Sequence, residues 1–484
     1  MRKQASVAQN FIYNSILTVT NVLFPLIIFP YASRMLLVEA IGKVDFATAV
    51  VNYFIMFASL GIPTYGIRAC ARVREDKEKL SHVTQELLII SIITTGITCL
   101  VFVLSILYIP KFALNRSILI INGCSLLLNA FGMNWLYSGL EQYKYITIRS
   151  VVFKGIALLS VFLMVRNPND YLLYAGISVF SVSGANILNF VHSRKLISFK
   201  KQGTYDLKQH MKPIFTFFAT SIAVSIYTNL DIVMLGFISG DTQVGYYSAA
   251  MKIRSAAAAF VTSLGTVLLP RFSLLASEKK LDEYKGLFKQ SLKFTIFSAL
   301  PLTVFFVICA QPSIVLLAGK SFSGATATLQ ILIPTVLIAG LTNVTGTQLL
   351  VPWGKENKLL FSIICGAVLD FLANLITIPL WGAAGAAFST LLAEITVLIV
   401  QSKVSYGFLR EQIKGISVYK NIIAVFISSV AVLLFENMCE LQILVFMISG
   451  CAIFGIIYVG VLWIFKDEFL MQLIDKGMAF RKRG

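Results

Sequence analysis

Stretches of roughly 20 predominantly apolar residues recur from one end of the chain to the other, the length a helix needs to cross about 30 Å of hydrocarbon at about 1.5 Å per residue. Inside hydrocarbon every backbone N–H and C=O has to be satisfied within the chain, so such a sequence is expected to fold as a set of membrane-crossing α-helices. Composition agrees: 57% of the residues are hydrophobic and 13% charged, with a mean hydropathy of +0.80. A soluble chain of 484 residues would suggest two or three domains; here the apolar runs are expected to leave no room for one.

The runs predict about fourteen spans, at 11–33, 41–62, 83–109, 117–140, 146–165, 170–191, 213–239, 244–270, 292–318, 327–350, 357–380, 381–402, 418–437 and 440–465. The first, from Phe11 to Ser33, follows Arg2 and Lys3; it is too long for a signal peptide, lacks a small-residue cleavage site, and is expected to remain as span one. Cys70, Cys99, Cys124, Cys309, Cys365, Cys439 and Cys451 show no paired spacing for a disulfide framework or a zinc site and read as buried small hydrophobes.

A formal net charge of +18 would suit a nucleic-acid binder, so its placement matters more than its size. With the N-terminus inside, 32 of the 41 Lys and Arg fall on cytoplasmic segments and six on external turns: Arg34, Lys43, Lys111, Arg116, Arg166 and Lys320. This is the positive-inside bias carried without a break through every span. It predicts both termini in the cytoplasm, contact with anionic membrane lipid, and no role in nucleic-acid binding.

The chain also resembles itself. Ile41-Gly42 and Ser59-Leu60-Gly61-Ile62-Pro63 of span two match Val244-Gly245 and Ser263-Leu264-Gly265 of span eight. Gly139-Leu140-Glu141 with Lys144 matches Gly354-Lys355-Glu356 with Lys358, and Phe180-Ser181 with Lys195 matches Phe388-Ser389 with Lys403. In order and position these suggest a duplication of six spans: an all-α protein of two pseudo-symmetric six-helix bundles, residues 1–200 and 201–405, with a further helix pair and basic tail at 406–484. Parallel halves of this kind enclose a cavity that opens alternately to either side.

Ionisable side chains at membrane depth cost about 2.5–3.5 kcal/mol each even on a lenient insertion scale, and therefore need a partner or a wet cavity. Lys252 and Arg254 in span eight and Asp231 in span seven stand at similar depth, which makes Asp231 with Lys252 or Arg254 a plausible ion pair and leaves one cation to face an anionic substrate. Asp370 and Glu394, both near mid-depth, fit a site for a coupling Na⁺ or H⁺ as well as simple helix-to-helix hydrogen bonding. Lys154, two turns into span five, either snorkels or faces the cavity. Arg34 lies beside Lys43 and Asp45 where span one meets the surface. Pro25 and Pro30 fall in one span, which fits a gating bend or a static kink equally. His82, His192 and His210 look too dispersed for a metal or a relay, and no phosphate-cradling Gly-rich loop appears.

Several of these segments are familiar as a set. Phe24-Pro25-Leu26-Ile27-Ile28-Phe29-Pro30-Tyr31-Ala32-Ser33-Arg34, then Ile41-Gly42-Lys43-Val44, Ser59-Leu60-Gly61-Ile62-Pro63-Thr64-Tyr65-Gly66-Ile67-Arg68, Gly139 to Lys144, Asn229-Leu230-Asp231 and Gly245 to Ala250 resemble bacterial Wzx-type polysaccharide repeat-unit flippases. These belong to the multidrug/oligosaccharidyl-lipid/polysaccharide exporter superfamily. The resemblance implies a bacterial inner-membrane transporter, without enzymatic activity or bound cofactor. It would move undecaprenyl-pyrophosphate-linked repeat units outward for capsule, O-antigen or exopolysaccharide, beside a polymerase and chain-length regulator. It also raises Arg34, Arg68, Lys252 and Arg254 as candidate contacts for pyrophosphate or sugar acids. Competing readings are a multidrug or cation antiporter and a peptidoglycan-precursor flippase of the same superfamily, or a membrane glycosyltransferase or polymerase. The last would need a loop carrying catalytic carboxylates, which the short external connections lack.

Overall fold

The computed structural model describes residues 7–201, 203–414, 416–438 and 441–481. Arg2, Lys3, Cys439, Lys482 and Arg483, which entered the charge and cysteine readings, lie outside them. The chain forms two compact units, Met1–Gly245 and Tyr246–Gly484, and the described residues contain helices but no strand.

In the first unit the helices are α1 (Val7–Ser59), α2 (Ile62–Arg72), α3 (Lys77–Tyr108), α4 (Pro110–Leu114), α5 (Arg116–Ala130), α6 (Asn134–Gly139), α7 (Tyr143–Met164), α8 (Tyr171–Val179), α9 (Ala185–Ser193) and α10 (Lys208–Ile238), with a π-helical turn at Phe180–Gly184. Helix α11 (Asp241–Ser277) begins in this unit and continues into the second. The second unit adds α12 (Leu281–Ile308), α13 (Ala310–Ala318), α14 (Thr326–Leu332), α15 (Thr335–Thr342), a π-helical stretch at Asn343–Leu350, α16 (Glu356–Trp381), α17 (Ala383–Val404), α18 (Tyr406–Ile413), α19 (Val418–Met438), α20 (Ile443–Ile464) and α21 (Glu468–Arg481).

This is a multi-pass membrane protein. Among the described residues ten helices are long and apolar enough to cross a bilayer, or twelve when the bent pairs Lys208–Ile226 with Thr228–Ile238 and Lys320–Leu332 with Thr335–Leu350 each count as one span. The expected fourteen exceed that number for two physical reasons. Helix α1 carries both of the first two expected spans and is interrupted at Leu37 (φ 65, ψ 177), so one continuous stretch holds two segments. Helix α5, at 15 residues, is short for a crossing.

Pro25 and Pro30 both lie within α1. Each ring removes a backbone donor, so the carbonyls of Asn21 and Leu26 lose their usual partner four residues on. Helix ends that close with a left-handed residue include Glu141 (φ 57), Lys279 (φ 56), Gly354 (φ 66) and Lys466 (φ 47). In each, the next N–H reaches back five residues (Gln142 to the Tyr137 carbonyl, Lys280 to Leu275, Lys355 to Leu350, Asp467 to Leu462), at 2.9–3.0 Å, which satisfies carbonyls otherwise orphaned. The turns ahead of α7 and α16 therefore correspond through Glu141 and Gly354, so the Gly-x-Glu sequence match is shifted by two residues from the geometry. The amino end of α3 is capped by Asp76, whose side chain accepts from the N–H groups of Glu78 and Lys79; the Lys79 bond is the main reason its carboxyl lies below the ordinary range.

Of the cysteines, Cys70 and Cys309 are buried as expected, while Cys124 and Cys451 are exposed. A helix in lipid has no need to hide apolar side chains, and Ile97, Leu100 and Leu107 on the same kind of surface are more than half exposed.

Small residues permit the closest helix approaches. A Cβ added to Gly42 would lie 1.8 Å from the Asp241 carbonyl oxygen, and one on Gly245 would lie 2.3 Å from that of Val38. Nothing lies within 4 Å of such an atom on Gly96. Gly42→Ala is therefore expected to lower the thermal midpoint of the detergent-solubilised protein, at a cost of about 1–3 kcal/mol. Gly96→Ala should leave it unchanged or slightly raised, and equal effects from the two would contradict this packing.

Candidate functional site

Helix α7 is laid along α1 and holds it at three levels. The Thr147 hydroxyl donates to the Tyr13 carbonyl (2.9 Å), the Lys154 ammonium donates to the Asn21 side-chain oxygen, and the Tyr31 hydroxyl donates to the Val165 carbonyl (2.8 Å). Numbers rise together along both helices, so the two run parallel, as spans one and five must. Lys154 is half-buried and reaches the residue whose carbonyl Pro25 leaves without its helical donor. The proline gap in the backbone hydrogen bonding and the intramembrane cation thus meet at one place.

One turn into α7, Arg149 donates to the side-chain oxygens of Asn134 (3.1 Å) and Asn189, and lies 5.8 Å from the centre of the Tyr145 ring. Tyr145 stacks on His192 with ring centres 4.3 Å apart and on Tyr137 at 5.0 Å. The sequence alone gives Arg149 no special role, because a cation near a span end looks like an interfacial anchor. The available signal is the set of asparagines on neighbouring spans.

The histidines were expected to be dispersed, and two of them are not. Glu86 of α3 is fully buried and accepts from His82 Nε2 (3.2 Å), His210 Nε2 (2.8 Å), Gln209 Nε2 (3.2 Å) and the Asp206 backbone N–H (2.6 Å). The other face of His210, Nδ1, meets the Tyr65 hydroxyl at 2.8 Å. Next to this hub, Gln85 donates to the Ser198 and Lys200 carbonyls and accepts from Tyr205. The first turns of α3 therefore fasten the 194–207 segment, which sequence separation of more than 100 residues conceals.

In the second unit Arg254 of α11 donates to the Thr335 hydroxyl (2.7 Å) and pairs with Glu394 of α17 (2.5 Å). Asp231 was expected to pair with Lys252 or Arg254, and Asp370 and Glu394 either to hold a coupling ion or to hydrogen-bond between helices. The geometry instead gives Glu394 a guanidinium, so its charge is met by a cation from the protein itself. Asp231, Asp370 and Glu394 are all buried, and Lys252 and Asp45 are half-buried. Arg34 is exposed and its guanidinium donates to the Pro30 carbonyl one turn back, while Lys43 pairs with Glu39 at 2.7 Å. Arg68 is exposed on α2. Among the described residues no group of three or more His, Cys, Asp or Glu is arranged to hold a metal ion.

A cavity of about 850 Å³ opens in the first unit, lined by the start of α1 (Asn10), the α2–α3 turn (Arg74, Lys77, Leu80), the α6–α7 turn (Glu141, Lys144) and the end of α9 (Lys195, Leu196). Residues 7–276, more than half of the chain, match the family model described as polysaccharide biosynthesis protein. The chain belongs to that family. Residues 217–376 also match the model described as MatE. A "Putative O-antigen transporter" of Shigella dysenteriae is 26% identical over 395 residues, covering 79% of this chain and 96% of that protein. The solved structure of lipid II flippase MurJ in an inward closed conformation aligns with a TM-score of 0.74 at 15% identity, over 95% of this chain and all of the other. An inward-facing multidrug resistance transporter of the MATE family and MOP superfamily aligns at 0.64 and 14% identity, over 83% of this chain and 99% of the other. The family member described here has the fold of these transporters.

Two outcomes follow from this geometry. Arg254→Met or Glu394→Leu alone strands a buried charge and is expected to cost about 3–5 kcal/mol, whereas the double variant recovers much of that loss. Additive losses in a double-mutant cycle read by thermal unfolding would show that the two side chains act independently. Glu86→Ala removes the acceptor of four donors at a cost of about 1–3 kcal/mol, and hydrogen exchange should rise across residues 198–210. Unchanged protection there would mean that Glu86 does not fasten the segment.

Proposed function

We propose that this protein is a flippase for lipid-linked oligosaccharide repeat units in polysaccharide biosynthesis. The observation that carries this reading is the way the first unit holds its half-buried cations. Lys154 rests on Asn21 and Arg149 on Asn134 and Asn189, so both are oriented by neutral amides rather than by carboxylates. A diphosphate-linked glycan needs such a path, because unsatisfied hydroxyls and uncompensated phosphate charge each cost kilocalories in hydrocarbon. Family membership and a fold shared with a lipid II flippase support the same reading. A cation antiporter would be served poorly by it, since fixed cations repel its substrate.

In this reading the repeat unit rides an undecaprenyl pyrophosphate carrier, and the protein lies in the bacterial inner membrane with both termini in the cytoplasm. The two units work by alternating access, with α1 bending at Pro25 and Pro30 as gate. Lys154, Lys252, Arg34 and Arg68 contact the anionic substrate. Asp370, Asp231 and Asp45 serve as partners or as a site for H⁺ or Na⁺. A polymerase and a chain-length regulator take the product on the far side. Membrane potential can drive such movement at about 2.3 kcal/mol per charge per 100 mV.

Deleting the gene should abolish surface polymer while lipid-linked repeat units accumulate inside the cell. In the deleted strain, Lys154→Gln should insert normally but restore less than a tenth of the polymer. Loss of polymer without that accumulation would overturn the transport reading.

A further inference from the structure

The cavity of the first unit combines features that a membrane path alone does not require. Its wall carries Arg74, Lys77, Lys144 and Lys195 against two carboxylates, Glu75 and Glu141. Glu141 is already bound to Arg74 at 2.7 Å, whereas Lys77, Lys144 and Lys195 have no ion-pair partner among the described residues. Helix α7 points its amino end into the same space, without a side-chain cap on its first N–H groups. Asn10 is 8% exposed, lines the cavity, and has a side-chain oxygen buried without a hydrogen-bond partner among the described residues. A buried acceptor of that kind costs free energy until a donor arrives. Leu80, Leu140, Ile148 and Leu196 supply an apolar floor beside these groups.

We propose that this cavity is a docking site for the diphosphate and first sugar of a prenyl-linked glycan, loaded here before it enters the path between the membrane faces. The inference rests on the flippase reading and adds to it a site that shares neither Lys154 nor Arg254. The three unpaired lysines and the α7 amino end take the phosphates. The Asn10 oxygen accepts from a sugar hydroxyl, and the leucine-rich floor receives the first isoprenoid carbons. A volume of about 850 Å³ is far larger than a phosphate ion needs and suits a headgroup of this size. Apolar and cationic walls together favour a lipid-borne diphosphate over a soluble nucleotide sugar, which would use only the second.

The test is direct binding to the full-length protein in detergent, with farnesyl diphosphate as probe and thermal stabilisation or calorimetry as readout. Farnesyl diphosphate should bind, and the Lys144→Gln/Lys195→Gln variant should weaken it at least tenfold, with Lys144→Arg/Lys195→Arg largely restoring it. Lys358→Gln, in the corresponding turn of the second unit, should bind as the parent does. Equal binding of farnesol, or no effect of the lysine changes, would overturn the proposal. So would competition at equal concentration by phosphatidylglycerol, which assigns the cavity to bulk lipid, or by UDP-glucose, which assigns it to a soluble donor. Because binding is read without transport, its failure is separable from failure of the flippase reading, which the repeat-unit accumulation assay reads.

Discussion

Backbone and side-chain polar groups inside hydrocarbon have no water to fall back on, and every other feature of this chain follows from that. It compels helices over strands with open edges, and it makes each interruption of a helix a local debt. Helix α1 shows the consequence most plainly, with two prolines and a non-helical Leu37 in one stretch. The neighbouring α7 is fastened to it by side chains of Thr147, Lys154 and Tyr31 at intervals along its length. A helix weakened in its own hydrogen bonding is thus supported laterally, which is how a bend can exist without unravelling.

The same constraint divides the cations into two kinds. Arg254 meets a carboxylate, and the pair is close to electrically neutral; its value is in fixing α11 against α17. Lys154 and Arg149 meet amides, which accept hydrogen bonds from them without cancelling their charge. A carboxylate partner stabilises a buried cation more strongly, so amide-held cations are the costlier arrangement. Selection for packing alone would favour the first kind, which is why the second points to an anionic ligand.

Much of this architecture was legible in the sequence because it depends on local quantities. Run length and the proline positions in span one need no knowledge of which helices touch. Partner choice does need it. Glu394 and Arg254 are 140 residues apart, and Glu86 and His210 are 124 apart, so nothing in either neighbourhood announces the contact. Depth along a helix was readable and left Lys252 and Arg254 as equal candidates for Asp231, because depth fixes only one of three coordinates. The cavity was hidden for the same reason: Asn10, Lys77, Lys144 and Lys195 come from four separate segments and look, one by one, like ordinary loop and helix-end residues.

One turn sharpens what is special about the first unit. The turns before α7 and α16 close in the same way, yet the left-handed position is Gly354 in one and Glu141 in the other. Glycine occupies that conformation without strain, whereas a residue with a Cβ pays about 1–2 kcal/mol. A turn that closes in the same way with glycine gains nothing structurally from glutamate. Glu141 sits in the cavity wall, where its carboxylate holds Arg74 and lies 3.5 Å from the Asn10 amide. The strain therefore coincides with the place where cations and a buried acceptor converge, as expected when a backbone conformation is retained for what its side chain arranges.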